Sequence, residues 1–124
     1  DRKDVEEILS RLNNALSTEC YRDPELTLAK MAKTIEVHPN RLSHAINQEY
    51  GMNFSRLVNS RRLDYFLRQV QRGDLERFTM LHLALESGFR SKSTFNRVFH
   101  ERYCMSPTDY LHRETTAGRQ HTPG

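Results

Sequence analysis

Two cysteines, Cys20 and Cys104, are all the thiols that this chain of 124 residues carries. They stand alone, with no CxxC or other ligand spacing, so neither a disulfide framework nor a zinc site organises the fold. Isolated thiols of this kind suit a reducing compartment. No apolar run is long enough to cross a bilayer, and no signal-peptide pattern is present. These absences lead us to expect a cytoplasmic protein. Hydrophobic residues make up 36% of the chain, enough for a modest core with little to spare. The chain begins at Asp1 rather than Met, which reads as part of a longer protein. Catalytic patterns are missing too. His38, His44, His82, His100, His112 and His121 show no ligand spacing with Asp or Glu, and no GxSxG, P-loop or HExxH stretch occurs. The expectation is therefore no enzyme, no cofactor and no metal.

What is present is unevenly charged. Residues 1–50 hold seven Lys/Arg against nine Asp/Glu. Residues 51–124 hold twelve against seven, and eleven of those twelve cations are Arg. A guanidinium suits bidentate contact with guanine or phosphate better than an ammonium does. An ordinary solvated surface would fit the same counts, so charge alone decides nothing.

The stretch Ser87–Tyr110 decides more. Ser87-Gly88 reads as a tight turn after a helix. Ser91 can cap a new helix, and Phe95, Val98, Phe99 and Tyr103 give that helix one apolar face. Its other face carries Lys92, Ser93, Asn96, Arg97 and His100, each able to bond a base edge or a phosphate. Ser106-Pro107 opens another helix. A short helix, a tight turn and a second helix with a polar, basic outer face describe a helix-turn-helix.

The same pattern occurs earlier. Thr27 caps a helix over 28–35, Glu36-Val37-His38 turns, and Pro39 opens a helix over 39–50 that Gly51 ends. Thr27, Leu28, Met31, Ala32 and Val37 match Thr79, Met80, Leu83, Ala84 and Phe89 at a constant offset of 52. After a one-residue insertion, Leu42, Ala45, Ile46, Tyr50 and Met52 match Phe95, Val98, Phe99, Tyr103 and Met105 at 53. The inward positions agree while the outward ones, Asn40, Ser43, His44 and Asn47 against Ser93, Asn96, Arg97 and His100, differ. Two copies of one scaffold reading different bases would look like this.

Between the copies, 54–72 reads as one long helix with an apolar stripe through Phe54, Leu57, Val58, Phe66 and Val70, stopped by Gly73. Arg61-Arg62 on it is a candidate phosphate contact, or a solvated or ion-paired face. The fold expected is all-α, with two tandem helix-turn-helix units joined by a long linker helix, about seven helices in all. Residues 1–25 form an N-terminal packing helix, spanning 4–20, and a loop. The first unit covers 26–53, the linker 54–73 and the second unit 74–113. Residues 114–124 form a disordered tail.

These residues resemble the DNA-binding domain of the AraC/XylS transcription regulators. The resemblance runs from about Leu26 to Leu111. It is most specific in Leu83-Ala84, Gly88-Phe89, Ser91, Ser93, Phe95, Arg97, Phe99, Ser106-Pro107 and Tyr110. Leu28, Met31-Ala32, Val37, Leu42-Ser43, Gly51 and Arg62-Leu63 match more loosely. Three positions depart from the pattern: Cys104 and Glu36 where the family often has Gly, and Phe66 where it often has a small linker residue.

The resemblance implies a bacterial sequence-specific regulator, usually an activator, that sets two recognition helices into successive major-groove segments. Base contacts then fall on Asn40, Ser43, His44, Lys92, Ser93, Thr94 and Arg97. Phosphate contacts fall on Asn47 and Ser91, with Arg41, Arg61, Arg62 and His100 beside them. The implied partner is double-stranded DNA with an asymmetric bipartite site, and an activator must also reach RNA polymerase. An effector or sensor domain would lie in a missing N-terminal part, soluble or membrane-tethered, leaving this domain a nucleoid-associated monomer. The rival reading is a helical protein-interaction module that touches the transcription machinery without reading bases. It would need an apolar outer patch where these helices are polar.

Overall fold

Each half of the repeat begins a helix on a threonine. Thr27 accepts a hydrogen bond from the Lys30 amide at 3.2 Å, and Thr79 accepts one from the His82 amide at 3.0 Å. Such caps satisfy amides that the helix cannot, at about 1 kcal/mol each. A computed structural model of the chain describes the backbone of residues 1–121 and the side chains of residues 1–114. The helices are α1 (Arg2–Leu16), α2 (Leu28–Thr34), α3 (Pro39–Tyr50), α4 (Phe54–Gln71), α5 (Met80–Glu86), α6 (Lys92–Tyr103) and α7 (Pro107–His121). Single 3-10 turns lie at Cys20–Arg22 and Asp74–Glu76. The described residues contain no strand, so the all-α expectation with two helix-turn-helix units holds.

Two apolar cores form. Val5, Ile8, Leu9, Leu12 and Leu16 of α1 close the first over α2 and α3, and Phe54, Leu57 and Val58 of α4 complete it. The second gathers Leu63 and Phe66 of α4 with Leu83, Phe89, Phe95 and Phe99. The linker helix therefore belongs to both cores, its first half to one and its second half to the other. Phe66 explains its own departure from the family pattern. Its ring lies 4.7 Å from Phe95 and 6.4 Å from Phe99, inside an aromatic cluster. Each such ring buried stabilises the fold by about 1.5–3 kcal/mol, with more from edge-to-face contact.

A polar seam joins the units. The Arg62 side chain is only 7% exposed. Its Nε donates to Tyr21 O at 2.6 Å, and its other nitrogens donate to Asn59 Oδ1 at 3.0 Å and Asp23 O at 2.9 Å. Burial disfavours the charged form and lowers this guanidinium's pKa. Arg22 donates to Glu86 O at 2.8 Å, and Arg90 pairs with Glu25 at 2.6 Å. The loop that follows α1 is thus tied to the linker and to the turn of the second unit.

Two boundaries differ from the sequence reading. The first helix ends at Leu16, because the chain turns through Glu19 in the left-handed region (φ 63°) to form the Cys20–Arg22 turn. The last helix continues through residue 121, where a disordered tail from 114 was expected. Once nucleated, a helix adds residues at little cost each, and no proline interrupts before Pro123. The end of the expected tail, residues 122–124, lies outside the described residues.

Candidate nucleic-acid interface

The outward faces of α3 and α6 are exposed because their inward faces hold the two cores. On α6, Ser91 caps the first turn by accepting from the Thr94 amide at 3.2 Å. The Ser91 hydroxyl also donates to Thr94 Oγ1 at 3.2 Å. The Ser91 hydroxyl is therefore committed to shaping the start of the helix, while Thr94, half-buried, keeps its hydroxyl proton. Lys92, Ser93, Asn96, Arg97 and His100 are all exposed. Lys92, Asn96 and His100 form one row at fourfold spacing; Ser93 and Arg97 form the next. The row borders a depression of about 760 Å³ whose other walls include Met80, Leu81 and Pro107.

Arg97 meets Glu101 at 3.0 Å, with both side chains about half exposed. An exposed helical pair of this kind is worth only about 0.3–0.5 kcal/mol. Arg97 can leave it for a bidentate contact worth roughly 1–3 kcal/mol at a guanine edge.

On α3 the geometry is less open. His38 caps the helix, its Nδ1 accepting from the Asn40 amide at 3.1 Å. Asn40, Arg41, His44 and Asn47 are exposed and Ser43 is half-buried. Asn47 donates to Ser43 O at 2.9 Å, which holds its side chain along the helix. Arg41 lies 3.7 Å from Asp4, and Asn40, Arg41 and His44 share a depression of about 250 Å³ with Asp1 and Asp4. Carboxylates from α1 thus stand beside the first reading edge.

The linker pair divides. Arg61 is half-exposed, and among the described residues its side chain has no partner. Arg62 runs against the phosphate expectation: its guanidinium is buried and each of its three nitrogens donates within the protein, so it is not presented to a phosphate. Helical phase separates the neighbours: Arg62 falls on the fourfold row of Phe54, Val58, Phe66 and Val70 that faces the core, and Arg61 does not. Asn96 belongs to the polar face that the sequence marks, and its fourfold spacing from Lys92 and His100 places it in their row, although no specific contact is expected of it from sequence. The His38 cap and the Glu101 tether on Arg97 went unassigned in the sequence reading.

What these edges offer is hydrogen bonding through guanidinium, ammonium, amide, imidazole and hydroxyl groups. Among the described residues no three His, Cys, Asp or Glu gather to hold a metal, and no helix is long and apolar enough to cross a membrane.

Comparison with known proteins bears on the same segment. A helix-turn-helix domain family matches residues 31–113. The TCP pilus virulence regulatory protein of Vibrio cholerae is 34% identical over 61 residues, which cover 49% of this chain and 21% of that protein. The match spans about a fifth of that relative's length. Among solved structures, the C-terminal domain of AraT, a response regulator from Geobacillus stearothermophilus, superposes with a TM-score of 0.71 at 23% identity, covering 83% of this chain and 82% of that one. A DNA-binding transcriptional dual regulator from Escherichia coli K-12 gives 0.68 at 25% identity, covering 86% and 96%.

Proposed function

The chain belongs to the AraC-type helix-turn-helix family, and from that premise we propose that it is the DNA-reading part of a bacterial transcription regulator. Two copies of one scaffold, each exposing a polar helix edge, carry this reading. A helix about 10–12 Å across fits a major groove about 12 Å wide. Two such helices fixed in one chain reach successive groove segments on one face of the duplex. The edges differ, Asn40, Ser43 and His44 on α3 against Lys92, Ser93 and Arg97 on α6, so the site is bipartite and asymmetric. Thr94 accepts from Ser91 at the cap and keeps its hydroxyl proton and its methyl group for a base edge. Arg41, Asn47, Arg61 and His100 lie at the margins as phosphate contacts, joined by Ser91 once its hydroxyl proton turns from Thr94 to the phosphate. The reading units are 26–53 and 74–113, with 54–73 between them.

The relatives support regulation as the role: the Vibrio protein is named a virulence regulator and the Escherichia coli protein a transcriptional dual regulator. The finer expectations follow from it. The domain acts by binding rather than catalysis, as a monomer in the cytoplasm. It works as an activator in contact with RNA polymerase, under a sensor domain elsewhere in the protein.

The test is selection of binding sites from a random duplex pool, followed by Arg97→Ala. We expect an enriched asymmetric site with two blocks about one helical turn apart. The substitution should cost roughly 1–3 kcal/mol at one base pair and relax preference there. Uniform weakening over all sequences would reduce Arg97 to a phosphate contact, and no enrichment at all would defeat the reading.

A further inference from the structure

Beside α6 lies a cleft rich in arginine whose other wall, the start of α4, carries no reading role. It has a volume of about 390 Å³ and is walled by Asn53, Ser55 and Arg56 of the α4 start on one side and by Arg97, Glu101 and Arg102 of α6 on the other. A second depression, of about 370 Å³, runs from Asn53 and Ser55 to Ser43 on α3. Asn53 and Ser55 line both. The start of α4 therefore borders both depressions and stands between Ser43, on the first reading edge, and Arg97, on the second.

The cations of the first cleft are not equivalent. Arg102 donates to Asp64 Oδ1 at 2.7 Å and to Ser60 Oγ at 2.8 Å. Arg97 is paired with Glu101. Arg56 is exposed, and among the described residues its guanidinium has neither a carboxylate nor a hydrogen-bond acceptor. It is a donor group left unspent in the cleft beside Arg97. A duplex that enters two successive major-groove segments must carry its intervening minor groove, flanked by phosphates, across whatever lies between the two helices.

We infer that Arg56 is a DNA-backbone contact, holding a phosphate that borders the minor groove between the two major-groove segments, with Ser55 and Asn53 beside it. This rests on the DNA-binding reading above and extends it to a third point of contact. A contact there opposes the rocking of the duplex between its two ends and sets its register without reading sequence. Each phosphate neutralised releases condensed counterions, so the contact carries a salt signature that a base contact or a purely structural residue lacks.

The experiment measures affinity of the wild type, Arg56→Ala and Arg56→Lys against salt, on the enriched site and on an unrelated duplex. Ethylation interference then maps the phosphates. Arg56→Ala is expected to melt like the wild type and to weaken binding about tenfold on both duplexes. Its slope of log K against log salt should be shallower by about 0.9. Arg56→Lys should keep the slope, and the alanine variant should lose interference at phosphates between the two blocks of the site. Wild-type binding with an unchanged slope in Arg56→Ala overturns this inference and leaves the DNA-binding reading intact. So does a loss confined to one base pair. A wild type that retards no duplex removes both.

Discussion

Gly88 and Gly51 both sit at positive φ, 109° and 65°, yet replacing them should have unequal consequences. At Gly51 nothing lies within 4 Å of an added Cβ. Gly51→Ala therefore meets only the left-handed penalty of about 1–2 kcal/mol, partly offset by a stiffer unfolded chain, for a net loss near 1 kcal/mol. At Gly88 the added carbon would lie 2.8 Å from Arg22 Cα and 2.8 Å from Arg62 Nε, and closer still to Tyr21 O. Two of these three are backbone atoms, and the third belongs to a guanidinium fixed by its bonds to Tyr21, Asn59 and Asp23. None can swing aside cheaply. Overpacking at a well-packed site adds about 1–3 kcal/mol. The total for Gly88→Ala is then about 2–4 kcal/mol, a large share of the roughly 5–15 kcal/mol that a small domain has. Urea denaturation of both variants checks this, with similar m-values showing that the unfolding reaction is the same. Equal losses for the two glycines would refute the claim that the α1–α2 loop presses on the second unit's turn. Because that contact also sets how the two units face each other, Gly88→Ala should weaken binding to the bipartite site, whereas Gly51→Ala should not to the same degree.

Two further outcomes follow from backbone geometry and burial. Cys104 ends α6 at φ 58°, where a side chain is strained, so Cys104→Gly should stabilise by about 0.5–1 kcal/mol, read as a rise in melting temperature of a few degrees. A fall would mean that the thiol makes a contact outweighing the strain. Arg62→Met should cost about 2–4 kcal/mol, because Tyr21 O, Asp23 O and Asn59 Oδ1 lose their charged donor inside the protein. The salt slope of DNA binding should stay at the wild-type value, and a slope shallower by about one would return Arg62 to a phosphate.

Much of the architecture was legible in the chain because it rests on local rules. Thr27, Thr79 and Ser91 announce helix starts, and each does cap one. Pro39 and Gly51 bound α3 at the residues expected. The repeat was visible because inward positions must refill the same space twice. Glu36 and Gly88, equivalent in the two copies, share a positive φ of 60° and 109°. Only the second copy must be glycine, since only there does another part of the chain approach. That difference is a tertiary fact which the local pattern does not contain.

From sequence alone came the helix count, the doubling, the polar outer rows and the family resemblance, all set by contacts within a few residues or by periodicity. Three matters were settled only in three dimensions: that the inward-facing Arg62 bonds Tyr21 and Asp23, that the loop over residues 20–25 braces the second unit, and that Arg56 stands unpaired between the two edges. Each depends on residues tens of positions apart meeting in space, where steric fit and the need to satisfy buried donors and acceptors decide which of several similar arginines is left free.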